Sequence, residues 1–401
     1  MRRKYVIVGG GLAGASAIEG IRDHDPEGSI LLLSRENHLP YNRPPLSKDL
    51  WFGKTTKDQI SVHADEFYRE KGVEVSLRRD VVELDPDART VWDDRDISYE
   101  YEKLLLATGG KPRLIDAKVD EEGDVHYFRN LEDYLLLEDD LERLQHVLVV
   151  GGGFIGLELA AAIRHVGKEV TYFYREEYPL RRVLPRDLGL FIAEYYREQG
   201  IETVSGDSIV EFSEAQGLTH ARTQLGNIIT TQLAVVGVGI QPQTDLAEAA
   251  GLEVGDGIEV DEHARTSDPF IYAAGDVATY PDLALERRVR IEHWDHAKHH
   301  GYTAGANMAG AAKIYDHVPM FYSDFFDIGW EAVGDLDAGL AVHAVWKQPN
   351  REGVLFYLRD DVVRGVLLWN SWGKVEWARG LIRQARTMSA GGREAAIPPD
   401  A

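Results

Sequence analysis

Two glycine-rich runs hold the residues of this chain best suited to chemistry. The first is Val8-Gly9-Gly10-Gly11-Leu12-Ala13-Gly14 and the second is Val150-Gly151-Gly152-Gly153-Phe154-Ile155-Gly156. Each follows a short apolar run and opens an amphipathic stretch. In such a strand–turn–helix, the first glycine (Gly9, Gly151) permits a tight turn. The second (Gly11, Gly153) lets the backbone approach a pyrophosphate, and the third (Gly14, Gly156) lets helix and strand pack closely. The helix N-terminus adds N–H donors and the positive end of its dipole. One such loop is a weak signal. Two in the same setting predict two bound dinucleotides and a relay from one to the other. An acid after the second strand should hold a ribose. Glu36, beside Arg35, and Glu176, beside Arg175, occupy that place. Glu176 favours NAD, whereas Arg175 suits the 2′-phosphate of NADP; NADH is the preferred reading.

The elements that must position these loops alternate between strand and helix, which predicts an α/β fold. Residues 4–8 and 30–33 read as strands around a helix over 13–24. The apolar run 104–107 ends in Thr108-Gly109-Gly110, and residues 111–124 read as a polar linker. The pattern restarts with a strand over 147–150, a helix over 154–166 and a strand over 169–174. A helix over 188–199 follows, then a strand over 233–236 that leads to Gly237-Val238-Gly239. A strand over 271–274 ends in Gly275-Asp276, so one nucleotide domain is interrupted by another and then resumed. Residues 342–346, 354–359 and 363–369 read as antiparallel strands, with Asp360-Asp361 as a turn. A helix over 375–386 closes the ordered chain.

There is no cysteine in the 401 residues. Disulfides, thiolate metal sites and redox dithiols are therefore excluded. The net charge of −23 makes nucleic acid and anionic membranes poor partners. No apolar run approaches the ~20 residues of a membrane span. The first strand starts almost at the N-terminus, which predicts no targeting peptide and a cytoplasmic setting.

Three further segments settle the class. They are Leu39-Pro40-Tyr41-Asn42-Arg43-Pro44-Pro45-Leu46-Ser47-Lys48, Thr266-Ser267-Asp268-Pro269-Phe270-Ile271-Tyr272-Ala273-Ala274-Gly275-Asp276-Val277-Ala278 and Ile291-Glu292-His293-Trp294-Asp295-His296-Ala297. With both loops, they resemble the FAD-dependent pyridine-nucleotide reductases that lack an active disulfide. Two branches fit, the oxygenase-coupled ferredoxin reductases and apoptosis-inducing factor. The resemblance to the latter branch is the closer one. Residues 39–52 are similar to its flavin-contact segment. Residues 292–308 also match it, as does Met320-Phe321-Tyr322-Ser323-Asp324 followed by Gly329-Trp330-Glu331-Ala332-Val333-Gly334. The chain departs from that branch in three ways. It shows no mitochondrial presequence, it has no long insertion between Val342 and Trp369, and its acidity argues against DNA binding.

The resemblance implies two Rossmann-like nucleotide-binding domains, one inserted in the other, plus a C-terminal α+β domain. Residues 1–113 and 240–316 would bind FAD, 114–239 would bind NAD(P)H, 317–388 would form the third domain, and 389–401 would be a disordered tail. The first loop would then hold FAD, with Glu36, Arg43, Pro45, Thr108, Gly109, Gly275, Asp276, Glu292 and His293. The second would hold NAD(P)H, with Phe154, Ile155, Arg175, Glu176 and Gly239. The resemblance places Lys48 and Glu158 near the flavin N5 and Trp294 beside the flavin or nicotinamide ring. Bland readings stand beside these: a helix N-cap for Asp276, a surface ion pair for Lys48 and Glu158, and a core tryptophan for Trp294. Residues 321–324 would border the flavin or only pack domains. His293, His296, His299 and His300 lie at helical spacing, but without a thiolate they are read as part of the flavin-domain helix, not as a metal site.

The implied activity is transfer of a hydride from NAD(P)H to FAD. Without a dithiol, electrons must leave reduced FAD for an external acceptor: a ferredoxin, a quinone or oxygen. The alternative implied by the resemblance is a slow-turnover, redox-controlled interaction protein. NADH would drive it into a charge-transfer complex and a homodimer.

Overall fold

A computed structural model describes residues 2–120, 125–387 and 397–398. The expected disordered tail over 389–401 lies outside the described residues, apart from 397–398. The chain divides into two compact units. The first comprises residues 1–42, Lys57–Lys111 and Gln241–Met320; the second comprises Arg43–Thr56, Pro112–Ile240 and the chain from Phe321.

The first unit is built on a parallel sheet. Arg2–Val8 lies between Ile30–Ser34 and Ser98–Leu106, and Val73–Leu77 pairs with Ile30–Ser34. The outer edge of Ser98–Leu106 is shared. Its first half pairs antiparallel with Thr90–Asp93, and its second half pairs parallel with Ile271–Ala273. Side chains alternate across this sheet as period-2 strands require. Tyr5, Ile7, Ile30, Leu32 and Leu105 pack with Ala17, Ile18 and Ile21 of helix Leu12–His24. Val6, Val8, Leu31, Leu33 and Leu104 face the opposite core with Val91, Ile258 and Tyr280.

Small residues let helix Leu12–His24 lie against helix Trp294–Met308. A Cβ on Gly301 would run into the Ala13 backbone, and one on Gly305 into the Ala17 carbonyl. This close approach fixes the residue that precedes the second helix, His293, and the one that opens it, Trp294.

The second unit repeats the parallel arrangement in the order Glu202–Ser205, Glu169–Tyr174, His146–Val150, Leu233–Val236, Val125–Tyr127. Helix Phe154–His165 follows the central strand. Helix Leu131–Arg143 starts at a capping box in which Asn130 and Asp133 satisfy each other's backbone N–H. A meander of Ile209–Ala215, Leu218–Thr223 and Ile228–Thr231 was not anticipated from sequence. Strand Lys118–Val119 joins it, so the expected linker over 111–124 carries strand structure. The buried residues of the meander are Ile209, Phe212 and Ala221 together with Thr219, Thr223 and Thr231, and threonines at half of these positions weaken the apolar periodicity.

The C-terminal sheet has the order Met320–Phe325, Ile328–Gly334, Val362–Trp369, Glu352–Arg359, Ala341–Gln348. Asp360 and Asp361 form the expected two-residue turn, at φ of 52° and 61°. Both angles are left-handed, as a type I′ hairpin demands, and Asp tolerates them. Helix Val375–Arg383 buries Ala378, Leu381 and Ile382.

Gly305→Val should destabilise the protein by about 1–3 kcal/mol, because no space exists for the added methyl groups. A urea melt of the purified protein checks this; an unchanged midpoint contradicts the close helix contact.

Candidate functional site

The two glycine loops have nearly the same backbone. Gly9 lies at φ +121° and Gly151 at +134°, in the left-handed region where other residues are strained. A side chain on Gly9 would strike the Ala107 carbonyl, and one on Gly151 the Gly237 carbonyl. Gly14 and Gly156 each sit on the carbonyl of their own first glycine. Gly11 and Gly153, by contrast, face open space. Both are N-caps in extended conformation, and no side chain caps either helix. The space, the turn and the uncapped helix ends fit a pyrophosphate at each loop.

The remaining expected residues divide between the units. In the first unit, Thr108 Oγ1 donates to the Gln243 carbonyl at 2.8 Å, beside Gly109 at φ +63°. Gly275 packs against Ala13 at the start of the first helix. Asp276 follows that glycine and is partly exposed. Glu36 accepts from Tyr41 Oη at 2.5 Å. Trp294 is partly exposed, with its indole N–H on Asn42 Oδ1 at 2.6 Å. Glu292 accepts from Arg290 at 2.7 Å. Burial pushes the His293 imidazole down to about 4, so it is neutral near pH 7.

In the second unit, Glu176 turns back toward Gly152 of its loop and pairs with Arg175 at 3.3 Å. Gly239 lies at φ +102° with open space around its Cα. Phe154 and Ile155 open the helix. Phe154 packs on Phe321 and on the buried Trp330, each at 5.6 Å between ring centres, while Ile155 is exposed. Arg43, Pro45 and Lys48 were expected with the first loop, but their segment packs within the second unit. Arg43 donates to the Arg129 carbonyl at 3.0 Å. Pro45 opens a turn whose end brings the Lys48 N–H onto the Pro45 carbonyl at 3.2 Å.

That turn delivers Lys48 to Glu158. The two approach at 3.2 Å, and each side chain is 5% exposed. Ser47 Oγ donates to Glu158 Oε2 at 2.5 Å, and Ser323 Oγ donates to Oε1 at 2.7 Å. The Lys48 ammonium lies 4.1 Å from the centre of the Tyr322 ring. Burial works against the charge on Lys48, but Glu158, Tyr322 and Asp324 outweigh it and hold the lysine above its ordinary 10.5. Burial raises the Asp324 carboxyl, against the opposing pull of Lys48. Lys48 and Glu158 thus form the centre of a buried arrangement with Ser47, Tyr322 and Ser323 and not a surface ion pair.

Ser47 is not legible as a site residue in the sequence, and Tyr322, Ser323 and Asp324 are legible only as part of a segment that borders the flavin or packs domains. Ser47 precedes a lysine that is legible as one. Nothing in the spacing says that residues 47, 158 and 323 meet.

Comparisons with known proteins show the family of the chain. The pyridine nucleotide-disulphide oxidoreductase profile matches residues 3–301. The chain belongs to this family. A second profile, the C-terminal domain of mitochondrion-associated apoptosis-inducing factor, matches residues 304–352 and 347–384. The chain is 33% identical to apoptosis-inducing factor 1, mitochondrial, of Dictyostelium discoideum, over 96% of this chain and 79% of that protein. It is 34% identical to the ferredoxin–NAD(+) reductase component of the anthranilate 1,2-dioxygenase system of Burkholderia cepacia, over 84% and 82%. The solved structure of the covalent putidaredoxin reductase–putidaredoxin complex superposes with a TM-score of 0.91, at 29% identity, over 98% of this chain and 96% of that one. The protein is an FAD-dependent NAD(P)H oxidoreductase, and having no cysteine it works without the disulfide in its family's name. Among the described residues, no helix is long and apolar enough to cross a membrane.

Glu158→Ala should cost about 3–5 kcal/mol in a urea melt, because Lys48 is left buried and uncompensated. Glu158→Gln, whose amide oxygen still accepts from one serine while its amide nitrogen donates to the other, should cost less. Equal losses would mean that the charge on Glu158 does not matter to stability.

Proposed function

We propose that the protein carries electrons from NADH through FAD to a ferredoxin. The observation that carries this reading is the duplicated open cradle, at Gly11 and at Gly153, each on an uncapped helix N-terminus. When bound, FAD accepts two electrons from a nicotinamide and releases them to one-electron acceptors. The likeness to the Burkholderia cepacia ferredoxin–NAD(+) reductase component supports both the nucleotide and the acceptor. The FAD domain is assigned to residues 1–113 and 240–316, the NADH domain to 114–239 and the third domain to 317–388. Residues 43–56 are the exception, since they pack within the second unit. A cytoplasmic setting belongs to the same reading.

Residues of this chain then have distinct tasks. Backbone N–H groups at Gly9–Gly14 hold the FAD pyrophosphate, Glu36 and Asp276 accept from its sugar hydroxyls, and Arg43 offers its guanidinium to phosphate. Pro45, Thr108, Gly109, Gly275, Glu292 and His293 shape the FAD site. Gly151, Gly153, Phe154, Ile155, Gly156 and Gly239 shape the nucleotide site. Glu176 takes the adenosine ribose, and its ion pair with Arg175 keeps that arginine from serving as a phosphate site. Lys48 supplies a fixed positive charge that favours the electron-rich flavin, and Glu158 fixes the lysine and accepts from the carboxamide of the nicotinamide. Trp294 offers a flat, tethered ring beside the reacting rings.

A second reading rests on the match of residues 304–384 to the apoptosis-inducing factor C-terminal profile. There the chain turns over slowly and uses NADH to switch its partners, with a homodimer as the switched state. Anaerobic mixing of the flavoprotein with NADH, followed by addition of a ferredoxin, separates the two. Rapid ferredoxin reduction supports the reductase. A persistent long-wavelength band with a doubled mass supports the switch, and a quinone or oxygen that outruns every ferredoxin reassigns the acceptor.

Lys48→Ala should slow anaerobic flavin reduction by NADH at least about tenfold, which corresponds to about 1.4 kcal/mol of lost stabilisation. An unchanged rate removes Lys48 from the mechanism. The folded-state pKa of Lys48 is raised, so its charge persists through pH 10 and is lost only above its ordinary 10.5. Stopped-flow rates should therefore show no loss attributable to Lys48 between about pH 7 and 10. NADH should exceed NADPH in kcat/KM; a tenfold preference for NADPH would reverse the roles of Arg175 and Glu176.

A further inference from the structure

A separate cluster of ligating groups lies in the first unit, at the opening turn of helix Trp294–Met308. Asp295 is buried there. Its Oδ2 is 2.6 Å from His317 Nε2, and its Oδ1 is 3.2 Å from His299 Nδ1. The two imidazoles stack at 3.8 Å between ring centres and 14° between planes. One donor atom from each residue lies within 4.8 Å of the other two.

We infer that Asp295, His299 and His317 form a binding site for a borderline divalent cation of the zinc class. Two imidazole nitrogens and one carboxylate suit zinc, nickel or copper better than calcium or magnesium, which prefer all-oxygen shells. Tetrahedral zinc with bonds of about 2.0–2.1 Å separates its ligand atoms by about 3.3 Å. The contacts at Asp295, 2.6 Å to Oδ2 and 3.2 Å to Oδ1, are hydrogen-bond distances, so an ion would replace the protons between these groups, and the two stacked rings would turn out of their near-parallel arrangement to bring all three donors onto it.

The fold holds these donors from independent directions. Asp295 and His299 are four residues apart on one helix, which puts them on one face. His317 returns on the chain beyond that helix. The Asp295 carboxylate is fixed by the Met320 N–H, which donates to Oδ2 at 2.9 Å. Such orientation of a ligand is what metal sites require. The His299 side chain is 44% exposed, which leaves an entry path and room for water ligands. A net charge of −23 raises the local concentration of cations.

His299 Nδ1 also meets the Asp295 backbone carbonyl at 2.8 Å, a contact that a bound ion would replace. The neighbouring histidines have partners of their own. His296 meets Tyr315 Oη through Nδ1 at 2.8 Å, and His300 Nδ1 accepts from the Gly275 N–H at 3.4 Å. The histidine spacing over 293–300 points to no metal site, because His317, which completes the cluster, stands outside that run. A bound ion would tie the N-terminus of the helix that carries Trp294 to residues 317–320. This inference does not depend on the electron acceptor.

The test uses the FAD-loaded protein, stripped with a chelator and dialysed. Zinc chloride is then titrated by calorimetry, and one equivalent of copper is examined by pulsed EPR. The expected result is one zinc per chain with micromolar affinity, and a copper signal coupled to two imidazole nitrogens. Losing even an outer-shell partner of a metal costs 10–100-fold, so His317→Ala and His299→Ala should each weaken zinc by about 100-fold or more. The visible flavin spectrum reports that each variant is folded. If a histidine variant loses its flavin, Asp295→Asn and the EPR of the unaltered protein carry the test. No saturable zinc binding, binding unchanged in the folded variants, or copper bound to fewer than two imidazoles would overturn the site and leave a hydrogen-bonded cluster only.

Discussion

The buried pair of Lys48 and Glu158 is the constraint on which the second unit depends. It joins three segments that are remote in sequence: the turn at residues 44–47, helix Phe154–His165 and strand Met320–Phe325. Two charges in so little water are costly, and their attraction offsets that cost only when the remaining lone pairs are also satisfied. Ser47 and Ser323 provide that satisfaction on the two oxygens of Glu158. Tyr322 closes the other side of the ammonium. The arrangement thus tolerates little movement of any contributing segment, and it explains why residues 43–56 pack with the unit that contains Glu158.

Much of the redox architecture was legible because it is written in local chemistry. Gly9 and Gly151 must adopt positive φ, and Gly11 and Gly153 must leave space, so no other residue type serves equally well at these positions. The apolar strands announced themselves for a similar reason. Runs such as 104–106 and 233–236 are fully buried and need no partner to be read. The Asp360-Asp361 turn was equally local.

What stayed hidden was non-local. Strand Val81–Asp85 buries only isolated residues, and of the residues buried in Thr90–Asp93 only Val91 is apolar, so their signal is faint. The meander over 209–231 has the same character. Ser323 carries no chemical signature of its own; it becomes a site residue only because a strand lays it on Glu158. His317 likewise acquires meaning only when the chain returns to Asp295. The resemblance pairs Lys48 with Glu158, and the two meet at 3.2 Å; that their whole segment packs with the second unit is not written in the order of the chain.

The bare N-termini of helices Leu12–His24 and Phe154–His165 have a consequence for the life of the protein. Most helices bring their own cap in a Ser, Thr, Asp or Asn side chain. These two carry glycine there and leave the first turn open. Under the proposed reading a dinucleotide phosphate takes the place of the missing cap, and a ligand that binds only the folded chain adds to its stability. Cofactor supply and the folded fraction of the chain are then linked.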